Sequence, residues 1–286
     1  MIWKRGQTGV PFHKSIQTHK CHRMKSAGKP QLLENKSYSE PSVFLPENLL
    51  REAKRQKNIP DCLVPEICVL DPDGDLAAYV LRMERASLNG CWACYHSKMY
   101  NFLIDGTEIG IIPCIVGASY AVLVAEQLFV SGCKHLISVT SAGIINHPSF
   151  NRRFALITEA VRDEGTSYHY LPQGVIARLP QSLYQKLAVD SGDGLCPYFE
   201  AKSWTTDAPY RETQTAIEAM KNQNICCVEM EASALYAFAE AKQENVICFA
   251  HLTNTMALAE GDFEKGEHFG SIDTLNLLSY LLKRIF

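Results

Sequence analysis

VEMEASALYA, residues Val228 to Ala237, sets two carboxylates on either side of a methionine at the head of a run that is otherwise small and apolar. The pattern predicts one helix over 228–243. In a regular helix Glu229 and Glu231, two positions apart, cannot share a face. Negative charge is favourable at a helix N-terminus, so one of the pair is expected to serve there and the other is free for chemistry.

Outward from this stretch, short apolar runs alternate with helical patterns. EICVL (66–70), EIGIIPCIVG (108–117), HLISVTSAG (135–143), FALITEAV (154–161) and NVICFAHLTN (245–254) read as buried strands. Helices are predicted over 42–58, 118–131, 180–190, 213–223, 228–243 and 271–286. This order implies an α/β fold whose mixed central sheet is flanked by helices on both faces. In such folds sites gather at the carboxyl ends of strands, here after Leu70, Gly117, Val139 and Ala250.

The 286 residues are 47% hydrophobic, enough for a large core, and the net charge of -3 provides no basic field for nucleic acid. Ile109 to Leu128, the longest apolar candidate, is interrupted by Pro113, Gly117 and Glu126, so no membrane span is expected. Eleven irregularly spaced cysteines suggest a reducing cytoplasm and no disulfide framework. The first 33 residues carry seven Lys and Arg and no acid, and residues 1–40 are expected to form a flexible basic tail ahead of a single domain at 41–286. A targeting segment is the competing reading of that tail. Neither His19, Cys21 and His22 nor Cys91, Cys94 and His96 of CWACYH completes a four-ligand metal set, and the CWACYH cysteines are expected to be buried and inert.

Four segments carry polar chemistry. SVTSAGI (138–144) runs from strand into Thr140, Ser141 and Gly143, either a plain turn or a grip for an anion or a sugar. DPDGDL (71–76) is a turn that could also supply a base. DEGTSYHYLP (163–172) and WTTDAPYRET (204–213) mix aromatics and hydroxyls, as recognition of a flat polar ring requires, or as loop capping by Asp207 or Thr213 would.

In order, SAG (141–143), DEGTSYHY, TTDAPYRET and VEMEASALYA resemble the nucleoside phosphorylase superfamily, in its uridine phosphorylase, hexameric purine nucleoside phosphorylase and nucleosidase branch, from about Ile67 to Phe286. The resemblance implies that family's three-layer α/β architecture and attack on the N-glycosidic bond of a nucleoside. It implies that Met230 packs on the ribose and Glu231 accepts hydrogen bonds from its 2′ and 3′ hydroxyls, with Glu229 a lesser candidate. A carboxylate there stabilises the positive charge that grows on the sugar during cleavage. Gly74, Thr140 and Ser141 would form the phosphate or water site, and Tyr168, His169, Arg211 and Asn254 would contact the base, with Tyr210 stacking. Inorganic phosphate is the implied co-substrate, no other cofactor is expected, and a homo-oligomer, dimer or hexamer, is implied.

The sequence departs from the family at three points. The phosphate-binding arginines fall at Ser138 and Ala78, and neither residue can make a bidentate phosphate contact. Either Ser141, backbone N–H groups and a relocated cation such as Lys98 or Arg82 hold phosphate, or water is the nucleophile, with Asp73 or Asp75 as base. Asn254 stands 23 residues after Glu231, where purine-cleaving relatives carry the acid that protonates the base. An amide cannot act as that acid. A member that binds a nucleoside without turning it over is the third reading.

Overall fold

The computed structural model describes residues 29–146, 153–188, 196–255, 260 and 263–285. The ligand cluster considered at residues 19–22 lies outside them. The described residues form a ten-stranded mixed sheet. Strands β1 (Ile67–Asp71), β4 (Thr107–Pro113), β5 (His135–Ile144) and β10 (Asn245–Asn254) are mutually parallel in the order β4-β1-β5-β10. Every residue of β1 is buried and β10 is buried from Val246 to Thr253, which is why these segments read as unbroken apolar runs.

One edge is a meander of β2 (Ala86–Leu88), β3 (Tyr100–Ile104) and β4, paired antiparallel. On the other side the sheet closes on itself. β10 pairs antiparallel with β6 (Phe154–Asp163), β6 parallel with β8 (Tyr198–Thr206), β8 parallel with β9 (Cys227–Glu229), and β9 returns antiparallel to β5. β7 (Ile176–Arg178) pairs with β6.

Helices α1 (Pro46–Lys57), α3 (Ala118–Val130) and α6 (Ala232–Lys242) pack in succession, and α2 (Asp75–Arg82), α4 (Gln181–Leu187) and α7 (Ser271–Ile285) form a second group. α5 (Gln214–Asn222) seals a small cluster around Trp204, Ile225 and Val228, with Thr213 accepting the Ala216 N–H as its N-cap. The expected α1 starts later than predicted, at Pro46, leaving Val43 and Phe44 exposed ahead of it.

The largest difference falls on VEMEASALYA. Val228 and Glu229 end a three-residue strand, Met230 links, and α6 begins only at Ala232. A strand that short shows no periodicity of its own and reads as the helix behind it. From Ala232 to Ala239 α6 is buried on all sides. Tyr236 anchors it, donating to the Ile157 carbonyl and accepting the Cys248 N–H at 3.0 Å.

The cysteine expectation is corrected at one pair. Cys62 and Cys91 form a disulfide, with Cα atoms 5.5 Å apart, that ties the segment after α1 to the loop before β3. Cys94 is buried and free, as expected.

Candidate active site

The parallel strands bring four segments to one end of the sheet: residues 71–75 at the end of β1 and after it, 114–117 after β4, 140–143 within β5, and Asn254 closing β10. The N-terminus of α6 faces them from below, because Glu231 reaches Gly117 across this end. A larger hollow of about 870 Å³ opens at the opposite ends of β1 and β5, around Ile67, Lys134 and His135, away from these groups.

Glu231 is 1% exposed. Its Oε1 accepts the Gly117 N–H at 2.7 Å, and the Thr140 hydroxyl lies near enough to help hold its pKa down. Gly117 has φ +94°, a conformation that suits glycine and turns its N–H toward the carboxylate. Oε2 is buried and has no partner among the described residues. Burial pushes the Glu231 carboxyl up to about 8, and the charge of Glu229 adds to this while the Gly117 hydrogen bond and the Thr140 hydroxyl oppose it. Met230 beside it is half-exposed.

Glu229 has the other task. Oε2 accepts the N–H groups of Glu231 and Ala232, both at 2.7 Å, and Oε1 accepts the hydroxyls of Ser203 and Thr205. The Thr205 hydroxyl in turn accepts the Ser233 N–H. The first N–H groups of α6 are therefore satisfied from β8 and β9, where an uncapped, buried helix end would be costly. Burial raises the Glu229 pKa, and those hydrogen bonds hold it back.

In the loop after β1, Asp73 Oδ2 accepts both the N–H and the hydroxyl of Ser141. Lys265, which sequence reasoning did not single out, lies 3.4 Å from Asp73 Oδ1 and 2.6 Å from Asp75 Oδ2. Burial works against the Lys265 charge, but its bonds to Asp75 and Asp73 outweigh it and raise its pKa. Gly74 caps α2 with φ +80°, and a side chain there would meet Cys114 Sγ at 2.9 Å. Its N–H is given to the Asp71 carbonyl. Asp71 is buried, and desolvation pushes its carboxyl up to about 7.

Beneath these groups a cavity of about 20 Å³, lined by Asp71, Asp73, Ser141 and His251 among others, has room for about one water. His251 stacks on Phe154 at 4.8 Å, and burial lowers its pKa to about 4. Ser138 is buried on β5, and Ala78 is exposed on α2. Arg82 sits at the far end of α2 from Gly74, and Lys98 is exposed ahead of β3.

The expected base-side residues are placed differently from one another. Asn254 is half-buried beside Gly143 and donates to the Thr253 hydroxyl. Tyr168 donates its hydroxyl to the Arg162 carbonyl, and its ring lies 4.4 Å beneath the Arg162 guanidinium. Arg162 also holds Ser167, Leu171 and Pro172, while Glu164 accepts the Ser167 N–H and the Ser233 hydroxyl. DEGTSYHY is thus a strap that braces α6. His169 pairs with Lys36 at 2.8 Å, and Arg211 and Tyr210 are exposed, Tyr210 at 99%. Among the described residues, no group of three or more His, Cys, Asp and Glu is placed to hold a metal ion, and no helix is long and apolar enough to cross a membrane.

A mixed sheet that partly closes on itself, with a buried carboxylate at its strand ends keeping one oxygen unpartnered among the described residues, is an α/β fold with a candidate polar site. The chain belongs to the phosphorylase superfamily, whose sequence profile matches residues 67–279. Its fold is similar to that of a uridine phosphorylase from Vibrio fischeri, at 20% identity over 77% of this chain and 90% of that one, with a TM-score of 0.62. A purine nucleoside phosphorylase from Toxoplasma gondii superposes over 76% of this chain and 89% of that one, at 17% identity and a TM-score of 0.63. A guanosine phosphorylase from Halorubrum lacusprofundi is 23% identical over 145 residues, covering 51% of this chain and 60% of that relative's length.

Proposed function

We propose that the protein cleaves the N-glycosidic bond of a nucleoside by phosphorolysis. A phosphate oxygen attacks C1′, the bond to the base breaks with its electron pair leaving on the base nitrogen, and that nitrogen takes up a proton. The products are free base and ribose 1-phosphate. The observation that carries this reading is the open Glu231 Oε2, a buried acceptor with no partner among the described residues. A buried polar atom left unpaired is costly, and a sugar hydroxyl would satisfy it. Half-exposed Met230 supplies the apolar surface for the sugar face beside it.

Proton equilibria fit the same role. With its pKa near 8, Glu231 is largely neutral in the empty site at pH 7. Positive charge developing on the ribose favours its carboxylate form, so the interaction strengthens as the reaction proceeds. Asn254, at the end of β10, is assigned a hydrogen bond to the base, and with no carboxylic acid there the reading favours 6-oxopurine or pyrimidine nucleosides. The guanosine and uridine phosphorylases among its relatives support that range. The protein is taken to work as a homo-oligomer of two or six copies, which light scattering on the purified protein tests.

One observation favours a second reading, hydrolysis. The nearness of Asp73 to Ser141, whose N–H and hydroxyl it accepts, supports a role for it as a base for water. Free base released from a nucleoside panel, measured with and without inorganic phosphate, separates the two. Release that requires phosphate supports phosphorolysis, and release at the same rate without phosphate supports hydrolysis.

A further inference from the structure

The family resemblance leads one to expect arginines around the co-substrate, and the described structure has Ser138 and Ala78 in their places. What the structure puts at Ser141 instead is a carboxylate of the chain itself. Asp73 Oδ2 takes both donors of Ser141, the backbone N–H at 3.1 Å and the hydroxyl, while Oδ1 turns to Lys265 at 3.4 Å. The two oxygens of a carboxylate are spaced much like two oxygens of a phosphate. Asp73 thus makes, on Ser141 and a cation, the contacts an incoming phosphate would need.

Lys265 is the second half of the arrangement. It comes from the segment after β10, a different part of the chain from either lost arginine, and its side chain is only 13% exposed. Its charge is retained because Asp75 binds it at 2.6 Å and Asp73 faces it. With Asp73 and Asp75 ionised, the three side chains sum to one negative charge. An added phosphate is repelled by that arrangement while Asp73 stays. It is accepted when Asp73 leaves, because Lys265 then balances Asp75 and the Ser141 donors are released. Asp73 sits on a loop with its side chain 30% exposed, so it has a path outward.

We propose that Asp73 is a built-in competitor of phosphate and that Lys265 is the cation the phosphate uses once Asp73 is displaced. This rests on the phosphorolytic reading of the same site. Its consequence is a weak, displacement-limited phosphate requirement set by one carboxylate, in place of the direct bidentate grip arginines supply.

The test uses the full chain and inorganic phosphate, with two readouts: the rise in melting temperature with phosphate concentration, which needs no nucleoside, and the phosphate dependence of base release. Asp73→Ala lowers the half-saturating phosphate concentration at least tenfold in both. Asp73→Asn, which keeps the shape of the loop, lowers it in the same direction. Lys265→Met raises it at least tenfold. Phosphate affinity unchanged within twofold in both Asp73 variants overturns the proposal, as does loss of phosphate-independent base release in Asp73→Asn with no phosphate effect on any variant. Tighter phosphate binding by the Asp73 variants without base release upholds this inference and removes the phosphorolytic reading. Phosphate-dependent release with unaltered phosphate affinity does the reverse.

Discussion

Replacing Glu231 by Gln removes one ionisation from the core while keeping an oxygen for Gly117 N–H. The free carboxyl has a reference value of 4.5, and in the fold burial lifts it to about 8. Between those values the unfolded chain has released a proton that the folded protein keeps. Stability is therefore fully present below about pH 4.5, falls as pH rises, and levels off above about pH 8. At about 1.4 kcal/mol per pKa unit the full loss is on the order of 5 kcal/mol, part of it shared with Glu229 through their mutual repulsion. Glu231→Gln lacks this loss. Urea denaturation at pH 5 and pH 8.5 should show the variant close to wild type at the lower pH and more stable by several kcal/mol at the higher. The same variant should release base more slowly, because its amide cannot take the charged form that the positive charge growing on the ribose favours. Parallel stability profiles for the two proteins across that range would refute the assignment of a raised pKa to Glu231.

Glu229→Ala, which strands the Ser203 and Thr205 hydroxyls and the first N–H groups of α6, should cost about 3 kcal/mol or more, read from the urea midpoint. Tyr236→Phe should cost about 1–2 kcal/mol in the same assay, because it removes the hydroxyl shared by Ile157 and Cys248. Cys62→Ala should lower stability by up to about 3.6 kcal/mol, the scale set by a 29-residue separation, and reductant should reproduce the loss in wild type but leave the variant unchanged.

The buried parallel strands were legible because a strand covered on both faces must be apolar throughout. β1, β5 and β10 lie within a residue or two of their predicted bounds. β8 was not legible. YFEAKSWTT turns Glu200 and Lys202 to solvent amid buried neighbours, and its last residues, WTT, look like the loop they lead into. VEMEASALYA suggested the wrong element for Glu229, since β9 exists only through its pairing with β8 and β5, while Glu231 stands just ahead of α6 with one buried oxygen unpartnered among the described residues. In DEGTSYHY, aromatics and hydroxyls look alike whether they face a ligand or the fold; here Arg162 holds Ser167 and Tyr168, and Glu164 holds Ser233, contacts that depend on the tertiary fold and leave no local pattern. Lys265 carried no local signal, because its meaning comes from Asp73 and Asp75, some 190 residues earlier in the chain.

The most direct test of the central claim is release of free base from guanosine, inosine and uridine, measured with and without inorganic phosphate for wild type and Glu231→Ala. The account predicts base and ribose 1-phosphate from wild type in proportion to added phosphate, and loss of that activity by at least a hundredfold in the variant, about 2.7 kcal/mol of transition-state stabilisation. Full activity in Glu231→Ala, or no base released from any nucleoside by wild type, would contradict it.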